Sequence, residues 1–381
     1  MGSTSSYAGN AAFLEYLRQS LRERKSWRKI FREMMIGPWS TPKTKAANRF
    51  LDKRARRVEQ LTADAARVFF GVDISCAKCH DQPLVEDWNQ DQFYGMMAFV
   101  KRTTGGRGKV GEKSSGEVKF LKQGKETTAK MMFLSGRTID EPTRKSKKRF
   151  SRREQLVRVA LEERKFFSRA IVNRLWSYFF GRGLIHPVDQ MHSGNQPAVP
   201  DLLDRLAEGF ARSDYDLHRL ITAIISSRAY QLSSQWDGES IPDERLFAVA
   251  RLRPLSKKQF AFSLILASGN EAIGPKQKRV ERYHAIEKRA SRLLGSLDPR
   301  KSMYQSTTRE ALFLSNHPEV QKLVSAIDNN LVARLCKVKN PEQIIISAFR
   351  SVVSRSPRSE ELRELTQWFE SQKQSREKTC G

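Results

Sequence analysis

Residues 66–80 read Ala66-Arg67-Val68-Phe69-Phe70-Gly71-Val72-Asp73-Ile74-Ser75-Cys76-Ala77-Lys78-Cys79-His80. The first part closes a helical stretch that begins near Lys45 and carries Phe50, Val58, Leu61, Ala65, Val68 and Phe69 on its apolar side. Gly71 breaks that helix and delivers Cys76 onto a loop just past its end. Two thiols two residues apart, followed at once by histidine, form the attachment pattern for c-type haem. Each thiol can add across one haem vinyl group, and the adjacent imidazole can ligate iron. Four Cys and six His in 381 residues produce this pentapeptide by chance roughly once in 1,500 such chains.

Two other readings of Cys76, Cys79 and His80 stay open. A structural zinc site wants four ligands, usually from a second paired cluster, whereas Cys336 and Cys380 are isolated and distant in sequence. The third reading is a redox pair or a vestigial loop with no cofactor.

Outward from the motif, the pattern is helical. Residues 11–36 read as two amphipathic helices, the second with Trp27, Ile30, Phe31 and Met34 behind a Ser26 N-cap and stopped by Gly37-Pro38. After the motif, Gln90 to Val100 is helical, with Phe93, Tyr94, Met97 and Phe99 on its apolar side. Those aromatics would serve as a haem wall or as an ordinary small core. The Gly-, Lys- and Ser-rich stretch 103–116 reads as a mobile loop. Glu117–Leu121 and Thr128–Leu134 suggest a small β-ribbon around Gln123-Gly124-Lys125. Phe166 to Phe180 is a strong helix closed by Gly181 and Gly183, and its aromatic stripe reads as core. Further helices are expected at 200–212, 216–228, 256–268, 278–294, 307–314, 318–335, 341–354 and 358–372, with no internal repeat. The expected fold class is therefore mainly α, a multi-helical two-domain protein with a small β-ribbon between the domains. The expected ranges are 1–135 for the Cys-X-X-Cys-His domain, 136–155 for a basic linker, 156–373 for a helical C-terminal domain and 374–381 for a flexible tail.

Composition adds a strong cationic bias. Lys and Arg number 69 against 42 Asp and Glu, a formal net charge of +27. Such a surface attracts anionic polymers through long-range steering. Runs such as Arg144–Arg149 and Arg152-Arg153 read as an exposed, self-repelling linker. No zinc finger, RNP, KH or helix-turn-helix signature accompanies the charge, so nucleic acid is not the expected partner. No stretch approaches the apolar length of a membrane span. Met1–Ser6 has neither a basic start nor an apolar core, so no signal peptide is read, and the short myristoylation match of Gly2 with Ser6 is discounted. Covalent c-type haem is normally installed outside the cytoplasm, so periplasm or cell envelope is expected only with an upstream signal, and a cytoplasmic location stays open.

The run Ala66–Val72 leading into Cys76–Asp81, then Trp88-Asn89-Gln90-Asp91-Gln92-Phe93-Tyr94-Gly95, resembles the planctomycete cytochrome-type domain of unknown function. Phe166–Trp176, Phe180–Leu184, Tyr215-Asp216-Leu217, Ile225–Tyr230 and Arg309–Asn316 are similar to its C-terminal partner domain, also of unknown function. The resemblance covers about residues 11–370. It implies exported proteins, often preceded by a further cytochrome c-like domain, with a redox or envelope role. This chain departs from the family pattern at Gln82, where members carry a second histidine in a Cys-His-Asp-His-Pro run, and it looks shortened at the front.

The function expected is c-type haem binding with an electron-transfer or redox-accessory role in the cell envelope. Cys76 and Cys79 would be the attachment points, and His80 the iron ligand. Met96, Met97, Met191, His186 and His192 are candidates for the sixth ligand, alongside an open distal site. The redox partner is unidentified. One alternative is a basic scaffold that binds an anionic polymer, with a structural or vestigial cysteine loop. Another is an accessory domain of an envelope polysaccharide-processing system. No Gly-X-Ser-X-Gly elbow, P-loop or His-Glu-X-X-His site is present, and Asp189 with His186 and His192 has no spacing that supports catalysis, so a non-enzymatic role is expected.

Overall fold

Near the N-terminus, α1 (Thr4–Arg22) and α2 (Trp27–Met35) follow the apolar periodicity of the sequence. Ser26 caps α2, its hydroxyl accepting the Lys29 N–H at 3.3 Å. The computed structural model describes residues 4–81, 85–106, 108–142, 150–253, 255–269, 308–327 and 330–379. The expected Arg144–Arg149 run, Gln82 and the expected 278–294 helix lie outside the described residues.

The single helix expected from Lys45 to Phe70 is corrected. It is broken into α3 (Pro42–Lys45), a 3-10 turn over Ala46–Asn48, α4 (Arg49–Asp52) and α5 (Val58–Phe70). The corner is shaped by tertiary contact. Asp52 accepts the Gly108 N–H at 3.1 Å, and Asn48 donates its amide to the Gly108 carbonyl at 3.0 Å. Arg54 spans the break, bonding the Phe50 carbonyl at 3.0 Å and the Asp64 carboxylate at 2.5 Å. Apolar spacing is blind to such polar docking.

After α6 (Gln90–Val100), the expected mobile loop is instead an antiparallel hairpin, β1 (Thr103–Gly106) with β2 (Lys109–Glu112). Gly105 serves close approach: a Cβ there would meet the Ala55 Cβ at 2.7 Å. A ribbon turns at Gln123-Gly124 as β3 (Lys119–Lys122) with β4 (Lys125–Thr128), so the return strand expected over Thr128–Leu134 is corrected to one starting directly after the turn. Gln123 and Gly124 both have positive φ, +50° and +78°, as a tight two-residue hairpin turn requires. A third short pair joins β5 (Met131–Met132) to β6 (Thr138–Ile139).

The remaining helices of the first compact unit, which spans Met1–Leu252, are α7 (Arg152–Glu163), α8 (Lys165–Phe180), α9 (Pro200–Arg212) and α10 (Leu217–Ile225). Arg152 and Arg153 are not exposed, as the sequence suggested, but buried at 8% and 5%. Glu141 explains Arg152: it receives Arg102 at 2.7 and 3.0 Å and Arg152 at 2.9 Å. Those guanidinium partners, Arg102 first, hold the Glu141 carboxyl below its ordinary range. Arg153 donates to the Met35 carbonyl at 2.9 Å and lies beside Glu112. Buried charge is tolerated here because each guanidinium finds an acceptor.

One hydrophobic core runs through this unit from Tyr16 to Phe247. Its centre is aromatic: the Phe31 ring lies 4.6 Å from Phe69 and 4.7 Å from Phe167, all three essentially without solvent contact. Gly71 ends α5 and Gly181 ends α8, each in the left-handed region at φ +67° and +83°.

The second unit, Arg253–Gly381, contains α11 (Lys257–Ala267) and helices at Thr308–Asn316, Pro318–Val324, Leu331–Leu335, Pro341–Val352 and Ser359–Thr379. The helix expected over 318–335 is two helices. Buried Asn330 caps the second, accepting the Ala333 N–H at 2.9 Å and donating to the Ser325 carbonyl at 2.6 Å. A small core of Ala261, Ile265, Val320 and Leu323 holds this unit. Among the described residues, no helix is long and apolar enough to cross a membrane.

Candidate functional site

Ser75–Lys78 forms one 3-10 turn, with Ala77 N–H donating to the Ile74 carbonyl at 3.1 Å and Cys79 N–H to the Cys76 carbonyl at 3.2 Å. Three residues per turn place positions 76 and 79 on the same edge. Ile74 and Ala77 are fully buried and anchor the turn, while Cys76, Cys79 and His80 are exposed. Both thiols are free.

The turn is held from two directions. From α6, the Tyr94 hydroxyl donates to the Lys78 carbonyl at 2.9 Å, and the Gln90 amide donates to the Cys79 carbonyl at 3.1 Å. Gln90 N–H also donates to the Asp81 carboxylate at 2.9 Å. Burial raises the Tyr94 phenol above its ordinary range, which keeps it a donor. Asn89 starts α6 with a capping box, so a local sequence signal sets where Gln90 and Tyr94 point.

The second direction comes from far along the chain. Asp73 N–H donates to the Asp189 carbonyl at 2.8 Å, and Met191 N–H donates to the Gly71 carbonyl at 3.2 Å. Val72 and Gln190 form an antiparallel bridge between these bonds. Arg174 locks the junction, donating to the Arg67 carbonyl at 2.9 Å and to Asp189 Oδ1 at 2.5 Å. Asp73 in turn accepts Ser75 N–H at 3.0 Å and the Arg67 guanidinium at 2.8 Å. Burial pushes the Asp73 carboxyl up, but the Ser75 and Arg67 hydrogen bonds outweigh it and hold the group below its ordinary range.

His80 Nδ1 lies 2.9 Å from the Asp81 carbonyl oxygen. A carbonyl only accepts, so Nδ1 is the donor, and in the neutral ring Nε2 is the nitrogen with the lone pair. That is the tautomer a metal-ligating histidine needs, fixed by a hydrogen bond on its other nitrogen. With two accessible thiols on one edge beside it, the donor set fits a covalently attached haem.

The aromatic wall read from the sequence is not free for such a group. Phe93, Met96, Met97 and Phe99 are 1%, 1%, 5% and 0% exposed inside the protein core, and Tyr94 stacks on Phe120 at 4.3 Å. Met96 and Met97 thus fill space. Met191 does likewise: a Cβ added to Gly71 would meet its sulfur at 3.0 Å. The Asp189 carboxylate is paired with the Arg174 guanidinium. Burial, and then the Arg182 charge, lower the exposed His186 imidazole from its ordinary range. Among the described residues, no group of three or more His, Cys, Asp and Glu is gathered to hold a metal ion. The sequence reading missed the positioning residues Gln90, Tyr94, Asp73 and Arg174. Only the Asn89 cap offered a signal for the first two.

Two family models match the chain in tandem. Residues 3–105 match PSCyt2, a protein of unknown function (DUF1549), and residues 152–311 match PSD1, a protein of unknown function (DUF1553). The motif lies in the first segment, and the strand-like bridge at Gln190 that steadies it comes from the second. No curated protein and no solved structure matches the chain.

Proposed function

We propose that this tandem of two domains of unknown function is a c-type haem-binding protein with an electron-transfer or redox-accessory role. The single observation that carries the reading is the Asp81 carbonyl on His80 Nδ1, which leaves Nε2 available beside two exposed thiols. Cys76 and Cys79 would hold the haem through thioether bonds, and His80 would be its axial ligand. When bound, haem supplies a one-electron couple. The chain's own residues keep the turn in place: Gln90 and Tyr94 restrain the carbonyls of Cys79 and Lys78, and Asp73 restrains Ser75. The burial of Met96, Met97 and Met191 favours a distal side without a methionine ligand. Maturation of such a group would require export of the native protein to the periplasm or cell envelope.

The test is a pyridine haemochrome spectrum with haem staining of denaturing gels. The protein is produced with an added export signal in cells that have the c-type maturation machinery. A covalent haem band that is lost in the Cys76→Ala/Cys79→Ala double variant supports the proposal. No haem under those conditions sinks it.

Charge favours a second reading, as a basic module for an anionic polymer. Ion pairing cannot remove an excess of 27 positive charges, because only 42 acidic groups face 69 basic ones. Retention on an immobilised polyanion that weakens steeply as salt rises, with no haem attached, would favour this reading. An accessory role in envelope polysaccharide processing has no further support from the geometry.

A further inference from the structure

A cleft of about 560 Å³ lies outside the cysteine motif, within the usual size of a small-molecule site. Glu86 and Gln92 line it from the first family segment, and Lys165, Phe166 and His192 from the second. Several other polar groups in its wall are already committed. Arg169 pairs with Asp204 at 3.0 Å, and Asp87 accepts the Ser193 N–H. The side-chain amides of Asn195 and Gln196 donate to the carbonyls of Gln190 and Ser193 at 2.9 and 2.6 Å.

What remains uncommitted is informative. Among the described residues, Glu86 and Lys165 have no ion-pair partner, and both are exposed. The Nδ1 atom of His192 is buried without a hydrogen-bond partner, a state that a binding partner would relieve. Asn195 and Gln196 keep their amide oxygens as acceptors once their NH₂ groups are spent on the backbone.

We propose that this cleft binds a small zwitterion, a free amino acid or short peptide. Its ammonium would sit against Glu86 and its carboxylate against Lys165. The charge arrangement selects this class. A phosphate or dicarboxylate would meet Glu86 and Asp87 as like charges, and a polyamine would meet Lys165 and Arg169. A neutral sugar would leave both free charges unmatched. Phe166 supplies an apolar face for a side chain, and the acceptor oxygens suit a peptide N–H. This site does not depend on haem attachment.

Isothermal titration of the full chain tests it with glycylglycine, the twenty free amino acids, N-acetylglycinamide and maltose as probes. The expected result is one-site binding of glycylglycine or an amino acid, and none of N-acetylglycinamide, which lacks both charges. Lys165→Met and Glu86→Gln should each weaken binding by about tenfold or more, and Lys165→Arg should retain it. No binding by any zwitterion, binding of maltose alone, or equal affinity for N-acetylglycinamide would each overturn the proposal. The uncharged probe keeps the test decisive even where a variant fails to fold.

Discussion

Arg174 reaches from α8 to Asp189 at 2.5 Å while also donating to the carbonyl of Arg67, so one guanidinium ties the segment before the cysteine turn to the strand-like bridge at Gln190. Charge-assisted bonds of this kind contribute about 1.5–3 kcal/mol each when intact. Arg174→Ala should therefore lower unfolding free energy by about 1–3 kcal/mol in urea titrations. Its sharper signature is local: amide hydrogen exchange over residues 72–80 should accelerate, while α2 stays protected. Unchanged exchange across the turn would show that the bridge does not depend on this residue.

The aromatic centre makes a second expectation. Phe31 and Phe167 are both 0% exposed and face each other at 4.7 Å. Phe31→Ala should cost about 3–5 kcal/mol, as should Phe167→Ala. The double variant should cost less than the sum, because each single change already empties part of one shared space. Strict additivity in denaturant unfolding would contradict direct packing between the two rings.

Asp73 sets a pH dependence. Its carboxyl is held below its ordinary value of 3.8, so the unfolded chain takes up its proton at higher pH than the folded one. The stability that Asp73 contributes is thus fully present well above pH 3.8 and is lost as pH falls through the lower folded value. Asp73→Asn removes the charge that Arg67 meets. The gap in unfolding free energy between the natural protein and this variant should be widest near neutrality and close as pH drops below 3.8. A gap independent of pH would mean that the carboxylate's charge is not what matters.

His80 separates attachment from ligation. If haem is carried on the two thiols, His80→Ala should keep some gel-stable haem, because the cysteine bonds are untouched, but change the visible spectrum. Imidazole added to the variant should shift the spectrum back towards that of the natural protein. An identical spectrum in the natural protein and the variant would assign the axial position to another residue.

Much of the helical plan is legible in the sequence. Ser26, Gly71 and Gly181 are local signals, and each acts within a few residues of itself: a hydroxyl on the first turn, or a glycine that tolerates positive φ at the last. The hairpin at Thr103–Glu112 departs from the mobile loop that its glycines suggest. Gly105 is there for contact with the Ala55 corner, which sequence spacing does not encode. The same limit explains Arg152 and Arg153. A basic run is a solvated run unless acceptors wait for it, and Glu141, Glu112 and the Met35 carbonyl lie elsewhere in the sequence.

The sequence by itself determined that this protein is mainly α, that Cys76, Cys79 and His80 follow directly on a helix end, and that its net charge is strongly positive. Periodicity, caps and composition are short-range properties, and a chain carries them openly. Only the tertiary structure decided which nitrogen of His80 faces the Asp81 carbonyl, that the aromatics of α6 belong to the core rather than to a cofactor wall, and that residues 189–191 steady a turn formed near residue 76. Those outcomes rest on hydrogen bonds and packing between segments far apart in sequence, whose geometry exists only once the core has closed around them.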